Sequence, residues 1–415
     1  MAIATLAHHL DYEWVKYAYD CTRKNGAVGV DGQTAQDYAA DLEQNLLKLI
    51  DSLKSGSYRA PPVRRHYIEK SDGGKRGLGI PSFEDKVAQR AIALLLEPIY
   101  EVDFNDCSYG YRRGRSAQGA LQAIRDGITY NGGRWGLDAD IRKFFDSIDH
   151  AKLREVLARR VTDGVVRKLI DKWLKAGVLE EGRLTIPDVG TPQGGVVSPL
   201  LANIFLHYVL DEWFSQEVQP RLRGPSTLVR YADDFVMLFA YKDDAQRVLE
   251  VLGKRLERYG MELHPDKTCM VDFRYIAQPL KNPDEAKLET KFDFLGFTHI
   301  WVKSRKGQTI VRQITAKDRF AKAKKAIDQQ CRKMMHWTVR DQHQKLCRML
   351  KGHFAYFGIT GNGKRIASLR YQTERSWRKW LARRSSQSLP WESFKRILER
   401  FPLPPARIVH SYVKK

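Results

Sequence analysis

The chain has 415 residues, 43% of them hydrophobic and 11% aromatic, with a formal net charge of +22. That length holds two or three domains with proper cores, and the composition is that of a soluble globular protein. The longest aliphatic run, Ala91–Leu96, is too short to span a bilayer, and the N-terminus lacks the basic and apolar regions of a secretion signal, so a cytoplasmic protein is expected.

Up to about residue 130 the pattern is mixed helix and loop. Asp41–Leu53 has the spacing of an amphipathic helix, closed by the turn-formers Lys54–Ser57. After Pro61 and Pro62 come an extended basic stretch, VRRHYIEK, and the turn SDGGKRG. Phe83–Tyr100 reads as a helix with Val87, Ala91, Leu94 and Leu95 on its apolar face. RWGLDADIRKFF is a strand running into a helix, with Asp149 as the cap and Asp146 flanking it. VGTPQGGVVSPLLANIFLHYVLDEWF is a Gly-rich turn feeding a helix, with Ser198 expected as N-cap and Pro199 as its first residue. Leu201, Ile204, Phe205 and Tyr208 form its buried stripe.

LVRYADDFVMLF then predicts a tight hairpin with Asp233 and Asp234 at its tip and Arg230 as the one basic residue nearby. Ala245, Val248, Leu249, Leu252, Leu256 and Tyr259 mark an amphipathic helix ended by Gly260. MELHPDKTCMVDF and KFDFLGFTHIWV supply further strands. The order is that of an α+β layer, a sheet backed by helices.

The charge is unevenly placed. Residues 1–300 carry 42 Lys+Arg against 43 Asp+Glu, whereas residues 301–415 carry 29 against 6, so a net of −1 is followed by a net of +23. Five of the nine tryptophans also lie in the second stretch, which reads mainly as helices. Cations interleaved with aromatics are the footprint of a nucleic-acid surface, and a disordered tail would not hold so many apolar residues. The composition shift near residue 305 is the clearest expected domain boundary. Cys21, Cys107, Cys269, Cys331 and Cys347 form no C-x-x-C pair, which argues against a zinc module or a disulfide scaffold.

Adjacent carboxylates at a hairpin tip are either a solvated turn or one side of a cation site. Two metal ions would need carboxylates from a second element. Asp138 and Asp140 share a strand face by parity, and Asp140, nearest the strand's end, is the stronger candidate; a solvent-facing strand residue is the alternative.

The ordered blocks YIEK…KRGLGIP, GYRRGRSA, DADIRKFFDSIDH, GTPQGGVVSPLLANIFL, RYADDFV, GMELHPDKT and FDFLGF resemble a reverse transcriptase. More narrowly they resemble the reverse transcriptase/maturases encoded by bacterial group II introns. LCRMLKGHFAYFGITGN and WRKWLARRS are similar to that family's thumb or maturase region. The resemblance implies a right-hand polymerase, with fingers and palm over 49–300, an N-terminal extension at 1–48, a basic helical thumb/maturase domain at 305–385 and a short basic segment at 386–415. It implies a ligand set of Asp140, Ile141, Asp233 and Asp234 for two Mg2+ ions. Lys70 and Arg76 match the pair that grips the triphosphate, Phe145 the steric gate against a ribose 2′-hydroxyl, and Gln193 with Gly194 the loop beside the nascent base pair. Lys267 matches a general acid for pyrophosphate, with a plain surface lysine as the alternative, and FDFLGF matches the primer grip.

Lys322, Lys324, Lys325, Arg332 and Lys333, on one expected helix ending at Trp337, are candidates for RNA contact. The partners implied are structured intron RNA, an RNA template with a DNA primer, deoxynucleoside triphosphates and target DNA. The family usually has Pro where this chain has Gly77 and Arg113, and no His- and Cys-rich endonuclease pattern follows RIVHSY. The competing functions are an RNA-binding maturase with a decayed polymerase and a repurposed polymerase serving repair or phage defence without an intron.

Overall fold

The computed structural model describes residues 2–69, 74–180, 183–185, 190, 194–274, 290–304, 306–384 and 388–412. Eleven strands are seen among them. β1 (Val63–Glu69) and β2 (Lys75–Ile80) precede β3 (Trp135–Asp140), β4 (Val178–Glu180) and β5 (Arg183–Thr185). β6 (Ser226–Tyr231), β7 (Asp234–Phe239) and β8 (Cys269–Asp272) follow, then β9 (Phe292–Phe294), β10 (Phe297–Lys303) and β11 (Thr309–Thr315).

The central sheet has the order β6-β7-β3-β8, all antiparallel. Its alternation sorts the side chains cleanly. Trp135, Leu137, Ala139, Phe235, Met237 and Phe239 enter the large core formed with the helices Phe83–Glu101, Ser198–Leu206 and Lys242–Glu257. Val229, Val236, Leu238 and Val271 enter a second core, against the helix Ala117–Thr129 and strands β9–β11. Asp138, Asp140 and Asp234 lie on that second face, because β3 pairs with β7 so that Asp138 is opposite Val236 and Asp140 opposite Asp234. The end of the sheet where the apolar contacts stop is therefore where three carboxylates begin.

A second sheet, β2-β1-β4-β5, carries the β1–β2 hairpin, and a third has the order β11-β10-β9. Beyond it, the helices Lys317–Lys333, Val339–Phe357, Gly363–Leu381 and Trp391–Arg400 enclose a core of their own around Trp377, Leu346, Leu350, Ile366 and Phe394.

Three expected boundaries fall inside structural units. The helix Leu42–Ser55 crosses the division at 48/49, and Leu10, Val15 and Leu46 share a core with Val87 and Ala91. Strands β10 and β11 pair from Phe297↔Thr315 to Lys303↔Thr309, so the charge shift near 305 sits within a hairpin. Phe394 and Leu403 pack into the C-terminal core, so the tail after 386 is part of that unit. Helix caps follow the sequence in one case and not in another. Asp149 Oδ1 accepts from Lys152 N at 2.9 Å, but in the helix Ser198–Leu206 the N-cap position falls to Val197 rather than Ser198, without a side-chain cap, and that helix continues in wider turns over His207–Asp211.

Candidate active site

The β6–β7 hairpin turns through Ala232, whose φ of +60° lies in the left-handed region. Two features hold this strained tip. Gly110 lies so close beneath it that an added Cβ would come within 2.5 Å of Ala232 N. Arg230 is fully buried, and its Nη1 donates to Ala232 O at 3.0 Å and to Asn203 Oδ1 at 2.9 Å. Its other donors go to Asp211, through Nε at 2.7 Å and Nη2 at 2.5 Å, and to Ser108 Oγ at 2.8 Å. The basic residue next to the Asp pair is thus a strut for the turn's backbone, matched by a different carboxylate.

Asp140 closes the arrangement from β3. Its carbonyl accepts from His264 N at 2.8 Å, so the returning 262–268 segment runs along the end of β3. That segment brings Lys267 Nζ to 2.7 Å from Asp140 Oδ2. Arg76, on the exposed β2 strand, is near enough for its charge to act on Asp233 and Asp234. Two cations therefore approach the carboxylates, one from the β1–β2 hairpin and one from the 262–268 segment.

Burial by the surrounding walls raises the Asp233 pKa, reinforced by Asp140 and opposed by Arg76 and Lys267. Asp234 is open to the cleft, yet protein mass around it and the charges of Asp233 and Asp140 push it up to about 6. Asp138 is pushed up to about 7, by burial first and then by Asp234, Asp140 and Asp293. Mutually repelling carboxylates with one ammonium among them are a donor set suited to a hard divalent cation. Among the described residues no three such side chains enclose a single point. Ile141 is 2% exposed, so its side chain belongs to the core and its carbonyl is the one atom it could offer a cation.

A cleft of about 550 Å3 opens beside these groups, lined by Asp138, Asp140, Asp234, Lys267, Asp293 and Phe294, and on its far side by Arg319, Tyr356 and Phe357. Tyr356 is held there by its hydroxyl, which donates to Leu295 O at 3.0 Å. Phe145 is half-buried, its ring edge-on to Phe144 at 5.2 Å. Gly194, at φ +112°, lies so close to β2 that a Cβ would meet Gly79 O at 2.4 Å. Lys70 and Gln193 lie outside the described residues.

Residues 68–299 match the family Reverse transcriptase (RNA-dependent DNA polymerase). Over 295 residues the chain is 35% identical to Protein YkfC of Escherichia coli (strain K12), covering 62% of this chain and 76% of that protein. The chain belongs to the reverse transcriptases, the RNA-directed DNA polymerases. Within them it is related to the group II intron proteins. It is 42% identical over 199 residues to the Group II intron-encoded protein LtrA of Lactococcus lactis subsp. cremoris, which covers 48% of this chain and 32% of LtrA. It is 46% identical over 166 residues to an uncharacterized 91 kDa protein in cob intron of Schizosaccharomyces pombe, covering 40% of this chain and 20% of that protein.

This reverse transcriptase lines its cleft with more residues than the expected ligand set. Asp138, which strand parity put beside Asp140 as the weaker candidate, lines the cleft as well. Asp293 reaches the site by its place on β9, within the block matched to the primer grip. Arg319 and Tyr356 come from the C-terminal helices and carried no local signal. The five candidate RNA contacts, Lys322, Lys324, Lys325, Arg332 and Lys333, are all exposed, as is Trp337. They do not form one face, however. At about 100° per residue, Lys322, Lys325, Arg332 and Lys333 fall within one arc of about 100°, and Lys324 points away from it, toward the edge of the buried side. No helix of the described residues is long and apolar enough to cross a membrane.

Proposed function

We propose that this reverse transcriptase extends a DNA primer on an RNA template, and that its basic C-terminal helices bind structured group II intron RNA to assist splicing and mobility at a DNA target. The observation that carries the reading is the placement of Asp234 opposite Asp140, with Asp233 beside it in the turn and Arg76 and Lys267 approaching from two different elements. In this reading the central sheet and its helices are the palm, the β1–β2 hairpin belongs to the fingers, and the helices after Lys317 are the thumb/maturase region.

Asp140, Asp233 and Asp234, with the Ile141 carbonyl, would hold two Mg2+. When bound, the ions make the primer 3′-hydroxyl a better nucleophile and offset charge developing on the triphosphate. Arg76, together with Lys70, grips the triphosphate as a positive charge fixed to the fingers hairpin. Lys267 Nζ holds a proton that it gives to the departing pyrophosphate oxygen. The Phe145 ring fills the space beside C2′, and Gly194 lies in the wall against the nascent base pair, the role the resemblance also gives Gln193.

The test is primer extension on an RNA template with Mg2+, using Asp233→Ala. Synthesis is expected to fall by at least about a thousandfold, because charge stabilisation worth several kcal/mol is lost. The melting temperature should hold or rise, since repelling carboxylates do not stabilise a turn. Retained synthesis would sink the metal assignment.

A second reading is a reverse transcriptase working without an intron: the likeness to the intron-encoded protein LtrA reaches 32% of that protein. Catalytic ribozyme helices in the DNA flanking the gene would decide between the two.

A further inference from the structure

A buried carboxylate lies away from the acidic cleft, on the helix Phe83–Glu101. Asp85 is 1% exposed, and Gln89, one turn further on, is 3% exposed. Asp85 Oδ1 accepts from Tyr58 OH at 2.5 Å and from Trp173 Nε1 at 2.7 Å, while Oδ2 accepts from Gln89 Nε2 at 3.0 Å. Gln89 Oε1 in turn accepts the backbone N–H groups of Val196 at 2.7 Å and Val197 at 3.3 Å.

The polarity of this chain of bonds is forced at each link. An ionised carboxylate has no proton to give, so the Gln89 amide must turn its NH2 toward Asp85. That leaves the amide oxygen, and nothing else, for the two loop N–H groups. Burial pushes the Asp85 pKa up to about 6, so ionisation is opposed by the site's own surroundings. A core needing only volume here would be filled more cheaply by apolar side chains.

The stretch so held adjoins β2, the strand that carries Arg76. Earlier in the chain, Gly190 N donates to Ile148 O at 2.8 Å, His150 Nε2 lies 2.5 Å from Gly190 O, and a Cβ on Gly190 would meet Phe145 O at 2.9 Å. Gly194 abuts Gly79 of β2, just before the two N–H groups that Gln89 takes.

We propose that Asp85, acting through Gln89, is a positioning residue for the incoming deoxynucleotide: the pair sets where the Gly194–Val197 stretch stands against β2, the strand that carries Arg76. This rests on the nucleotide site described under the proposed function. Asp85 touches no substrate, so its effect appears in nucleotide binding rather than in the chemical step.

The test reverses the polarity and then restores it. Asp85→Asn keeps the volume. Its oxygen stays with the Tyr58 and Trp173 donors, so its NH2 faces Gln89, whose amide must rotate and turn a donor toward the Val196 and Val197 N–H groups. The KM for deoxynucleotide is expected to rise about tenfold or more, with kcat and the KM for primer–template little changed. The Val196 and Val197 amides should exchange with solvent at least about tenfold faster. Adding Gln89→Glu restores an acceptor toward the loop and gives the new NH2 a carboxylate oxygen, so the double variant should return KM and amide exchange to within about threefold of wild type.

An unchanged KM in Asp85→Asn, or a double variant that folds without recovering, overturns the proposal. Should Asp85→Asn fail to fold alone, a folded double variant with wild-type KM supports it and an unfolded one overturns it. Wild-type protein without RNA-templated synthesis would instead overturn the proposed function, and the exchange measurement would still report the loop's anchor.

Discussion

Arg230 and Lys322 are both cations of a basic protein, and the molecule uses them in opposite ways. Arg230 is wholly inside the reverse transcriptase region, bound to Asp211, Asn203, Ser108 and the carbonyl of Ala232. Lys322 stands exposed on a helix whose buried residues are Ile327 and Cys331. The first region is almost neutral in sum because 42 cations meet 43 acids, and one of those cations, Arg230, is buried to hold a turn with positive φ. The second is strongly basic because 29 cations meet 6 acids, and Lys322 and its neighbours face outward. Net charge therefore reports on a surface and is silent about a buried network, although the buried network sets the geometry of the candidate site.

Breaking the buried side of this comparison has the largest expected effect. Arg230→Met removes the strut from the Asp233–Asp234 turn and leaves Asp211 buried without its cation. A loss of roughly 3–5 kcal/mol is expected, the usual result of orphaning one member of a buried pair. Lys322→Gln, at an exposed position, should stay within about 0.5 kcal/mol of wild type. Urea denaturation of both variants checks the contrast; equal midpoints would mean that Arg230 is not the strut the geometry implies.

Sharpening the exposed side gives the next largest effect. Lys322, Lys325, Arg332 and Lys333 share an arc that Lys324 does not, and Arg332 also lies over the Trp380 ring, 5.8 Å from its centre. Replacing those four by Gln should weaken binding of structured RNA by roughly a hundredfold near 0.15 M salt and flatten the log–log salt slope by about three units. Lys324→Gln alone should change neither quantity appreciably. A filter-binding salt titration checks both, and equal losses from the two variants would show that charge count rather than the shared face governs capture.

The comparison also explains what the sequence made legible. The β3 and β7 strands, the hairpin and the helix capped by Asp149 are set by local alternation and local hydrogen bonding, so they could be read before folding. The opposition of Asp140 and Asp234 followed from strand parity plus a family resemblance. Arg230 was read as the Asp pair's neighbour because in sequence it is; Asp211, Asn203 and Ser108 reach it only through the fold. Asp85 and Gln89 went unnoticed for the same reason, since Tyr58, Trp173 and Val196 are distant in the chain. Tyr356 and Arg319 line the cleft because the C-terminal helices fold back beside β9. The charge shift near 305 misplaced a boundary because surface composition and core membership change at different residues: β10 and β11 straddle the shift as one hairpin.

The smallest expected effect separates two adjacent rings. Phe144 is 2% exposed and lies in the main core, whereas Phe145 is half-buried and packs against that core from the loop side, near Gly190. If Phe145 is the gate, its exposed edge fills space that a ribose 2′-hydroxyl would need, and steric overlap there is a matter of one or two atoms. Phe145→Val opens that space while removing few core contacts. Incorporation of ribonucleotides relative to deoxyribonucleotides should then rise by about tenfold, the ratio for roughly 1.4 kcal/mol of lost discrimination. Phe144→Leu is the control. It perturbs the same ring pair from the buried side, so it should lower the melting temperature and leave the sugar ratio where it was. Single-nucleotide incorporation on an RNA template, with thermal melting of both variants, reads the two quantities apart. A sugar ratio unmoved by Phe145→Val would make that ring a partner of Phe144 in packing and nothing more.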